Sequence, residues 1–200
     1  MSSLVVNNLE CQRGYSQIFN NLSFQVNAKE VLRITGTNGS GKTSLLKILA
    51  GINIQEQGDV NLDEHPVKSD KYQQEVLYLG HQAVLSTELT SLENLEFLNA
   101  LNHPIKQSLL IQALDDVGLK GYADETCANL SAGQKRRVIL ASLFVSKAKV
   151  WLLDEPFTAL DPKGVEIVEN AISNHCANGG LCLFTTHQDS VLPNQRVISL

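Results

Sequence analysis

The first third of the chain contains short apolar segments that alternate with polar, turn-forming ones. Between residues 4 and 34 the apolar segments read L-V-V, L-S-F-Q-V and V-L-R-I-T, and N-N, N-A-K and R-G-Y-S separate them. Alternating and β-branched residues bounded by Asn, Gly and Ser are typical of strands joined by turns. We therefore predict a β-rich N-terminal part.

Beyond this part the apolar spacing changes from that of a strand to that of a helix. Residues 42–50 place Leu and Ile at helical intervals, and Gly51 follows where a left-handed residue commonly ends a helix. Two more short strands are predicted at 59–62 and 76–79. The order strand, glycine-rich loop, helix is thus followed by further strands.

A mostly helical segment is predicted next. T-S-L-E at 90–93 matches a capping box, in which two side chains satisfy the free N–H groups of a helix start. Helices are expected at about 91–101 and 105–117. We interpret about 83–130 as a small helical lobe inserted into an α/β core.

The last part of the chain alternates helices with continuous apolar strands. Helices predicted at about 132–146 and 162–177 are followed by the strands V-W-L-L and L-C-L-F-T-T, respectively. This alternation indicates an α/β fold with a mostly parallel sheet that is covered on both faces. The length of 200 residues fits one domain, 1–200.

Charge and hydropathy exclude several classes of function. The net charge of −5 disfavours nucleic acid and anionic lipid as partners. The start of the chain lacks the pattern of a signal peptide, and the longest apolar run, 138–145, is far shorter than the roughly 20 residues of a spanning helix. We expect no nucleic-acid partner, indirect membrane contact and four reduced, scattered cysteines.

A phosphate-binding loop is predicted at G-T-N-G-S-G-K-T, residues 36–43, because the pattern is complete and lies between a strand and a helix. Its glycines let backbone N–H groups turn toward phosphate oxygens, Lys42 reaches the β- and γ-phosphates, and Thr43 is a candidate ligand of Mg²⁺. The residues expected at the nucleotide are Gly36, Thr37, Asn38, Gly39, Ser40, Gly41, Lys42, Thr43 and Ser44.

Acidic and polar side chains follow three of the apolar strands. V-W-L-L-D-E at 150–155 ends in Asp154, a candidate for the Mg²⁺ shell, and Glu155, a candidate base for the attacking water. Gln82 and His187 also follow strands, and the carboxyl ends of parallel strands share one edge. Both could then reach the γ-phosphate, with Gln82 near the metal as well, or remain loop residues with local hydrogen bonds.

A second anion site is predicted at L-S-A-G-Q, residues 130–134. Ser131 and Gly133 stand at the start of a predicted helix, whose first N–H groups attract anions. One nucleotide does not need two phosphate sites, so this motif is either an ordinary helix cap or serves a different nucleotide. The basic residues that follow, Lys135, Arg136 and Arg137, are interpreted as a solvated helix face.

The phosphate loop, Gln82, L-S-A-G-Q, the acidic pair, A-L-D at 159–161 and His187 occur in one characteristic order. In this order and spacing the whole chain resembles the nucleotide-binding domain of ABC ATPases. The resemblance implies a P-loop NTPase with an antiparallel β subdomain and an inserted helical lobe, which hydrolyses ATP with Mg²⁺. In that family two domains meet head to tail, which implies that Ser131 and Gly133 cap the nucleotide of a second copy.

Family members commonly stack an aromatic side chain from the turn between the first strands on adenine, and this chain departs from that pattern. Alignment places this position near Arg13, with Tyr15 two residues later. A guanidinium plane also stacks on a base, so both residues remain candidates, as does a simple hairpin role.

The exact residues of the motifs, from I-T-G-T-N-G-S-G-K-T to F-T-T-H-Q, resemble those of the cytochrome c biogenesis ATP-binding export protein (haem exporter A) family. This resemblance implies a peripheral translocase subunit at the cytoplasmic face of the bacterial inner membrane. It also implies integral membrane permease subunits as partners, and hydrolysis coupled to haem export or to release of a haem-loaded chaperone.

The motifs leave two other classes of protein as alternatives. The first is a soluble, non-transport ABC ATPase that acts in complex assembly or in DNA repair. The repair type is excluded, because the segment between the phosphate loop and L-S-A-G-Q is too short for the coiled-coil insertion of such proteins. A P-loop kinase would leave L-S-A-G-Q unexplained. Co-purification with integral membrane proteins separates the first class from the transport-linked one.

Overall fold

The computed structural model describes residues 2–14, 16–81, 85–100, 104–187, 192 and 195–200, with the backbone alone at Arg13 and Ser16. It divides into two compact units. The first comprises Met1–Gly80, Ala148–Glu155 and Ser173–Leu200, and the second comprises His81–Lys147 and Pro156–Ile172.

Two sheets form the first unit. The strands are β1 (Ser3–Arg13), β2 (Ser16–Asn27), β3 (Val31–Thr35), β4 (Gln57–Leu62), β5 (His65–Pro66), β6 (Val76–Leu79), β7 (Val150–Asp154), β8 (Leu181–Thr185) and β9 (Gln195–Ser199). One sheet has the order β2-β1-β4-β5 and is antiparallel; the other has the order β6-β7-β8-β3-β9 and is parallel. The predicted parallel sheet and the antiparallel β subdomain are both confirmed.

The N-N pairs that we interpreted as separators lie inside long strands. Asn8 in β1 and Asn21 in β2 have positive φ values of 47° and 53°, and the register between the two strands shifts beside Asn8. Asparagine tolerates this conformation better than most residues, so each pair bends a continuous strand instead of ending it.

The central strands of the parallel sheet are fully buried. Every residue of β7 and of β8 is buried, so neither face of these two strands is open to water. Helix α1 (Lys42–Leu49) packs in the same core as both sheets and buries Leu45, Leu46 and Leu49. Because all the pairs in this sheet are parallel, the carboxyl ends of its strands meet at one edge.

A short helix absent from our prediction supports the end of α1. It is α2 (Asp70–Gln74), capped by Ser69, and its fully buried Tyr72 donates a hydrogen bond of 2.6 Å from its hydroxyl to the carbonyl of Leu49. Burial raises the pKa of Tyr72, so the hydroxyl keeps its proton. A hydrogen bond of this kind contributes about 1 kcal/mol to stability.

Helices build the second unit. They are α3 (Ser91–Asn99), α4 (Gln107–Asp116), α5 (Ala132–Leu140) and α6 (Ser142–Val145). The capping box predicted at Thr90 and Glu93 is present. The helix predicted at 132–146 is interrupted at Ala141, which separates α5 from α6.

This unit reaches beyond the lobe that we expected at about 83–130. Val138 and Ala141 share an apolar cluster with Leu95, Leu114 and Cys127, so α5 belongs to the same core as α3 and α4. Helix α7 (Pro162–Ala177) begins in the second unit and ends in the first.

Two stacked aromatic rings pack the end of α7 against the parallel sheet. Trp151 of β7 stacks on His175, with ring centroids 3.9 Å apart and planes inclined by 5°. Burial lowers the pKa of His175, so its neutral form is favoured in the fold. The prediction that Trp151 fills the core is confirmed, and His175 has a partner that the sequence did not reveal.

All four cysteines are buried and free, which agrees with the expected reduced thiols. Among the described residues, no helix is long and apolar enough to cross a bilayer.

Candidate functional site

The phosphate loop connects β3 to α1 and depends on glycine where it meets the helix. Gly41 precedes the helix with φ of 98°, a conformation that residues with side chains rarely adopt, and a Cβ there would collide with the Ile18 side chain. Gly36, at the other end of the loop, would bring a Cβ within 2.8 Å of the Leu200 carbonyl oxygen. The backbone therefore takes a path that exposes N–H groups only because both positions lack a side chain.

The ammonium group of Lys42 lies inside this loop. Its Nζ donates hydrogen bonds to the carbonyl oxygens of Gly36 at 2.8 Å and of Thr37 at 3.0 Å, and the residue is buried. An ammonium group has three donors, so one remains for a ligand oxygen. The loop thus holds a positive charge where the sequence predicts the terminal phosphates.

Asp154 stands at the end of β7 with both carboxylate oxygens held by hydroxyl groups. Thr43 Oγ1 donates to Oδ2 at 2.9 Å, and Thr185 Oγ1 donates to Oδ1 at 2.8 Å. Asp154 as a whole is 1% exposed. A hydroxyl and a carboxylate are the hard oxygen donors that suit Mg²⁺, so these two predicted ligands fit the ion and lie in direct contact.

Glu155 follows in a left-handed conformation that turns its side chain away from the strand path. Its φ is 50°, and its N–H donates to Thr185 Oγ1 at 3.0 Å. Its carboxylate faces His187: Oε1 lies 3.4 Å from Nε2, and Oε2 accepts a bond of 3.4 Å from the backbone N–H. The structure therefore brings Glu155 and His187 together at the carboxyl ends of two neighbouring strands, a contact that we did not predict from the sequence.

Sequence reasoning missed two side chains beside Asp154. One is Thr185, which is fully buried and contacts both acids. The other is Tyr78 of β6, whose pKa rises to about 12 because burial disfavours the phenolate and the Asp154 charge adds to this effect. A threonine and a tyrosine in apolar strands are common, so neither carries a signal in the sequence.

In the second unit, Ser131 begins α5 with a complete capping box. Its Oγ accepts a bond of 3.2 Å from the N–H of Gln134, whose side chain accepts a bond of 2.9 Å from the Ser131 N–H. Two positions on, a Cβ at Gly133 would lie 2.9 Å from the carbonyl oxygen of Ala159. Gly133 therefore serves close packing against the A-L-D turn, a role additional to the one the resemblance implies.

The interpretation of the basic run as a solvated face is wrong for Arg136 and Arg137. Arg136 is buried, and Arg137 donates to the Val117 carbonyl oxygen at 2.6 Å and forms an ion pair with Asp161. The hydrogen bond from the Gly164 N–H lowers the pKa of the Asp161 carboxyl. Desolvation opposes this shift, and the Arg137 charge adds to it. Arg137 thus ties α5 to the A-L-D turn, a tertiary contact that the local pattern does not show.

Three predicted site residues cannot be placed. Gln82, Tyr15 and the side chain of Arg13 lie outside the described part of the structure. Their assignments to the metal, the γ-phosphate and adenine stay predictions.

Comparisons with known proteins agree with this geometry. The ABC transporter family model matches residues 19–158. A cytochrome c biogenesis ATP-binding export protein, CcmA, from Vibrio cholerae is 43% identical over 197 residues, which is 97% of this chain and 95% of that protein. CcmA of Yersinia pseudotuberculosis is 44% identical over 98% of this chain and 92% of its own length, and CcmA of Pseudomonas savastanoi is 45% identical over 90% and 85%.

Solved structures share the fold at lower identity. An ATP-binding subunit of an ABC transporter has a TM-score of 0.82 at 22% identity and covers 92% of this chain and 79% of its own. A putative ABC transporter ATP-binding protein from Pyrococcus furiosus has a TM-score of 0.84 at 20% identity, with 98% and 96% covered. The ATP-binding cassette MJ0796, in a dimeric post-hydrolysis state with ADP and Pi, has a TM-score of 0.81 at 22% identity, with 92% and 88% covered.

The family model covers well over half of the chain, and the relatives match it almost from end to end at more than 40% identity. The activity of such domains is ATP hydrolysis. The chain therefore belongs to the ABC transporter family of ATP-hydrolysing proteins, in the group of the cytochrome c biogenesis ATP-binding export proteins.

Proposed function

We propose that this chain is the ATP-hydrolysing subunit of a membrane complex that matures c-type cytochromes. The observation that carries this proposal is the 43–45% identity to CcmA proteins over nearly the whole chain. Hydrolysis would be coupled to haem export or to release of a haem-loaded chaperone. The subunit would work from the cytoplasmic face of the inner membrane, held there by integral membrane permease subunits.

In this proposal the phosphate loop binds the ATP phosphates. Lys42 supplies the positive charge, and the N–H groups of residues 36–44 supply further donors. Thr43 and Asp154 hold Mg²⁺, with Gln82 as a further ligand by resemblance. When bound, Mg²⁺ neutralises charge that develops on the phosphate oxygens.

Glu155 is proposed as the base in the hydrolytic step. Its carboxylate accepts a proton from the attacking water, whose oxygen then bonds to the γ-phosphorus as the bond to the ADP oxygen breaks. His187 lies within 3.4 Å of that carboxylate and orients it. The left-handed φ of Glu155 supports this role, because strained backbone persists where a side chain must be aimed.

We also propose that two copies assemble head to tail and that L-S-A-G-Q of one copy caps the ATP of the other. Ser131, which is exposed, and Gly133 stand at the start of α5, where backbone N–H groups attract anions. Because the phosphate loop already serves the nucleotide of its own copy, this second anion site is available to another nucleotide. The ATP-binding cassette MJ0796, which has the same fold, was solved as a dimer, and this supports the arrangement. The arrangement gives the second anion site a ligand.

Deletion of the gene for this chain tests the proposed function in bacterial cells. We expect covalently attached haem in c-type cytochromes, measured by peroxidase staining of denaturing gels, to disappear while b-type haem absorbance stays unchanged. The native gene should restore the stain, and Glu155→Gln at equal protein level should not. In detergent extracts the tagged chain should co-purify with integral membrane proteins.

Normal c-type cytochromes in the deletion strain would contradict the role in biogenesis. Complementation by Glu155→Gln would show that the role does not need hydrolysis. A tagged chain recovered without membrane proteins would favour the soluble assembly ATPase.

A further inference from the structure

The hydroxyl group of Thr185, at the carboxyl end of β8, contacts both acidic residues of the proposed site. Its Oγ1 donates to Asp154 Oδ1 at 2.8 Å and accepts from the Glu155 N–H at 3.0 Å. A hydroxyl has one donor and two acceptor positions, so its proton is directed to Asp154. The hydroxyl therefore links the proposed metal ligand to the backbone of the proposed base.

The sheet places this hydroxyl with little freedom. Thr185 is the last residue of β8 and pairs with Asp154 in the parallel register, and it is 0% exposed. Its branched Cβ restricts χ1, and burial leaves no water to replace either bond. The contact is thus built into the strand pairing.

Strand β8 and the residues that follow it contact Glu155 at two points. Thr185 takes the backbone N–H, and His187, two residues later, faces the carboxylate. Glu155 adopts φ of 50°, which is uncommon for a residue with a side chain, so its backbone needs neighbours that fix it. Thr185 supplies one of these fixed contacts.

We propose that Thr185 is a positioning residue, which sets the orientation of Asp154 and Glu155 together and thereby couples the metal side of the site to the base. It does not touch ATP in this proposal. The inference rests on the proposed catalytic roles of the two acids. Groups that orient a metal ligand typically contribute 10–100-fold to affinity or activity, and we expect an effect of about this size.

Thr185→Val tests the hydroxyl alone, because valine keeps the branched shape. We expect kcat for ATP to fall about 10–100-fold while KM stays within about threefold, since the phosphate loop holds the nucleotide. Mn²⁺ affinity of the ADP complex, followed by the electron paramagnetic resonance signal of free Mn²⁺, should fall as well. Thr185→Ser, which keeps the hydroxyl, should restore most of both.

A matched control and a double variant distinguish the proposed positioning role of Thr185 from a purely structural role. Tyr72→Phe removes another fully buried hydroxyl from the same unit and should leave kcat and Mn²⁺ affinity unchanged. In single-turnover hydrolysis, adding Thr185→Val to Glu155→Gln should cost less than it does in the native chain, because one of the two acids through which Thr185 acts has already lost its function and only the effect through Asp154 remains. Thr185→Ala serves the same assays if the valine variant does not fold.

Native kcat and Mn²⁺ affinity in Thr185→Val would overturn the inference, as would a serine variant as impaired as the valine one. An equal loss of kcat in Tyr72→Phe, or full additivity with Glu155→Gln, would also overturn it. Failure of the catalytic roles themselves gives a different result, because Glu155→Gln would then hydrolyse ATP at the native rate.

Discussion

Replacing Glu155 with glutamine should lower ATP hydrolysis by about 10²–10⁴-fold and leave ATP affinity unchanged, because general-base catalysis contributes a factor of this size. The amide has nearly the shape of the carboxylate but cannot take the proton of the attacking water. Glutamine also loses the charge that faces His187 at 3.4 Å. ATP should therefore bind and persist.

Phosphate release and equilibrium binding of a fluorescent ATP analogue measure the two halves of this prediction. Glu75→Gln is the matched control. Glu75 lies in the same unit, and its carboxylate is 3.0 Å from the Lys149 ammonium group. This ion pair stands where β6 and β7 begin, whereas the phosphate loop follows the end of a parallel strand. The control should hydrolyse ATP at the native rate. The same rate in Glu155→Gln would remove this residue from the mechanism.

Replacing Lys42 with alanine should weaken ATP binding on the order of 10–100-fold, because a hydrogen bond to a charged group contributes roughly 1.5–3 kcal/mol. The substitution removes the buried ammonium group and the bonds that it donates to the carbonyls of Gly36 and Thr37. The loop then offers only N–H dipoles to the terminal phosphates, and two of its carbonyls lose a donor.

Isothermal titration with ATP, compared with adenosine, locates the loss at the phosphates. Adenosine binding should change little, because the base and ribose do not contact Lys42 in the proposed site. Lys47→Ala, the same change in the last turn of the same helix, should keep the native ATP affinity. Unchanged ATP affinity in Lys42→Ala would contradict the loop assignment.

Long periodic segments and complete motifs made much of the fold predictable. The uninterrupted apolar run of β7 identified a buried strand, and the two acids after it were correctly expected at a sheet edge. Helices α1, α3, α4 and α7 were expected within a few residues of their bounds. These elements are fixed largely by local pattern and capping.

Short elements stabilised by tertiary contacts were missed. Helix α2 has one buried side chain, Tyr72, and a five-residue polar sequence has no detectable helical period. Strand β9 carries an exposed Val197 and forms at the edge of the parallel sheet by pairing with β3. Backbone pairing, which leaves no mark in the sequence, decides such segments.

The catalytic edge shows the same division. Lys42, Asp154 and Glu155 stand in motifs whose residue types and context carry the chemistry. Thr185 acquires its contacts only because β8 pairs with β7 in a register that sets it beside Asp154. Arg137 likewise needs the approach of Asp161, far along the chain, before its role is visible.

If two copies build each hydrolytic site, as we propose, a substitution at Ser131 of one copy should inactivate the site of the other. Ser131→Asp places a negative charge against the γ-phosphate yet keeps a side chain that caps α5 well, and Ser131→Asn is the neutral control. A substitution at Gly133 is less suitable, because any Cβ there lies 2.9 Å from the Ala159 carbonyl oxygen. Ser131→Asp and Glu155→Gln should each be inactive alone.

The most direct measurement is ATP hydrolysis by a mixed dimer that carries Ser131→Asp in one copy and Glu155→Gln in the other. The two copies bear different tags and are isolated together, with the membrane partner if the chain alone does not pair. If the motif acts on the partner's nucleotide, both lesions fall on one site and the other site is native. We therefore expect two inactive parents to give a partly active mixed dimer, in steady state or in a single turnover of bound ATP. No hydrolysis in either assay would mean that each site carries a lesion, and it would return Ser131 to the role of an ordinary helix cap.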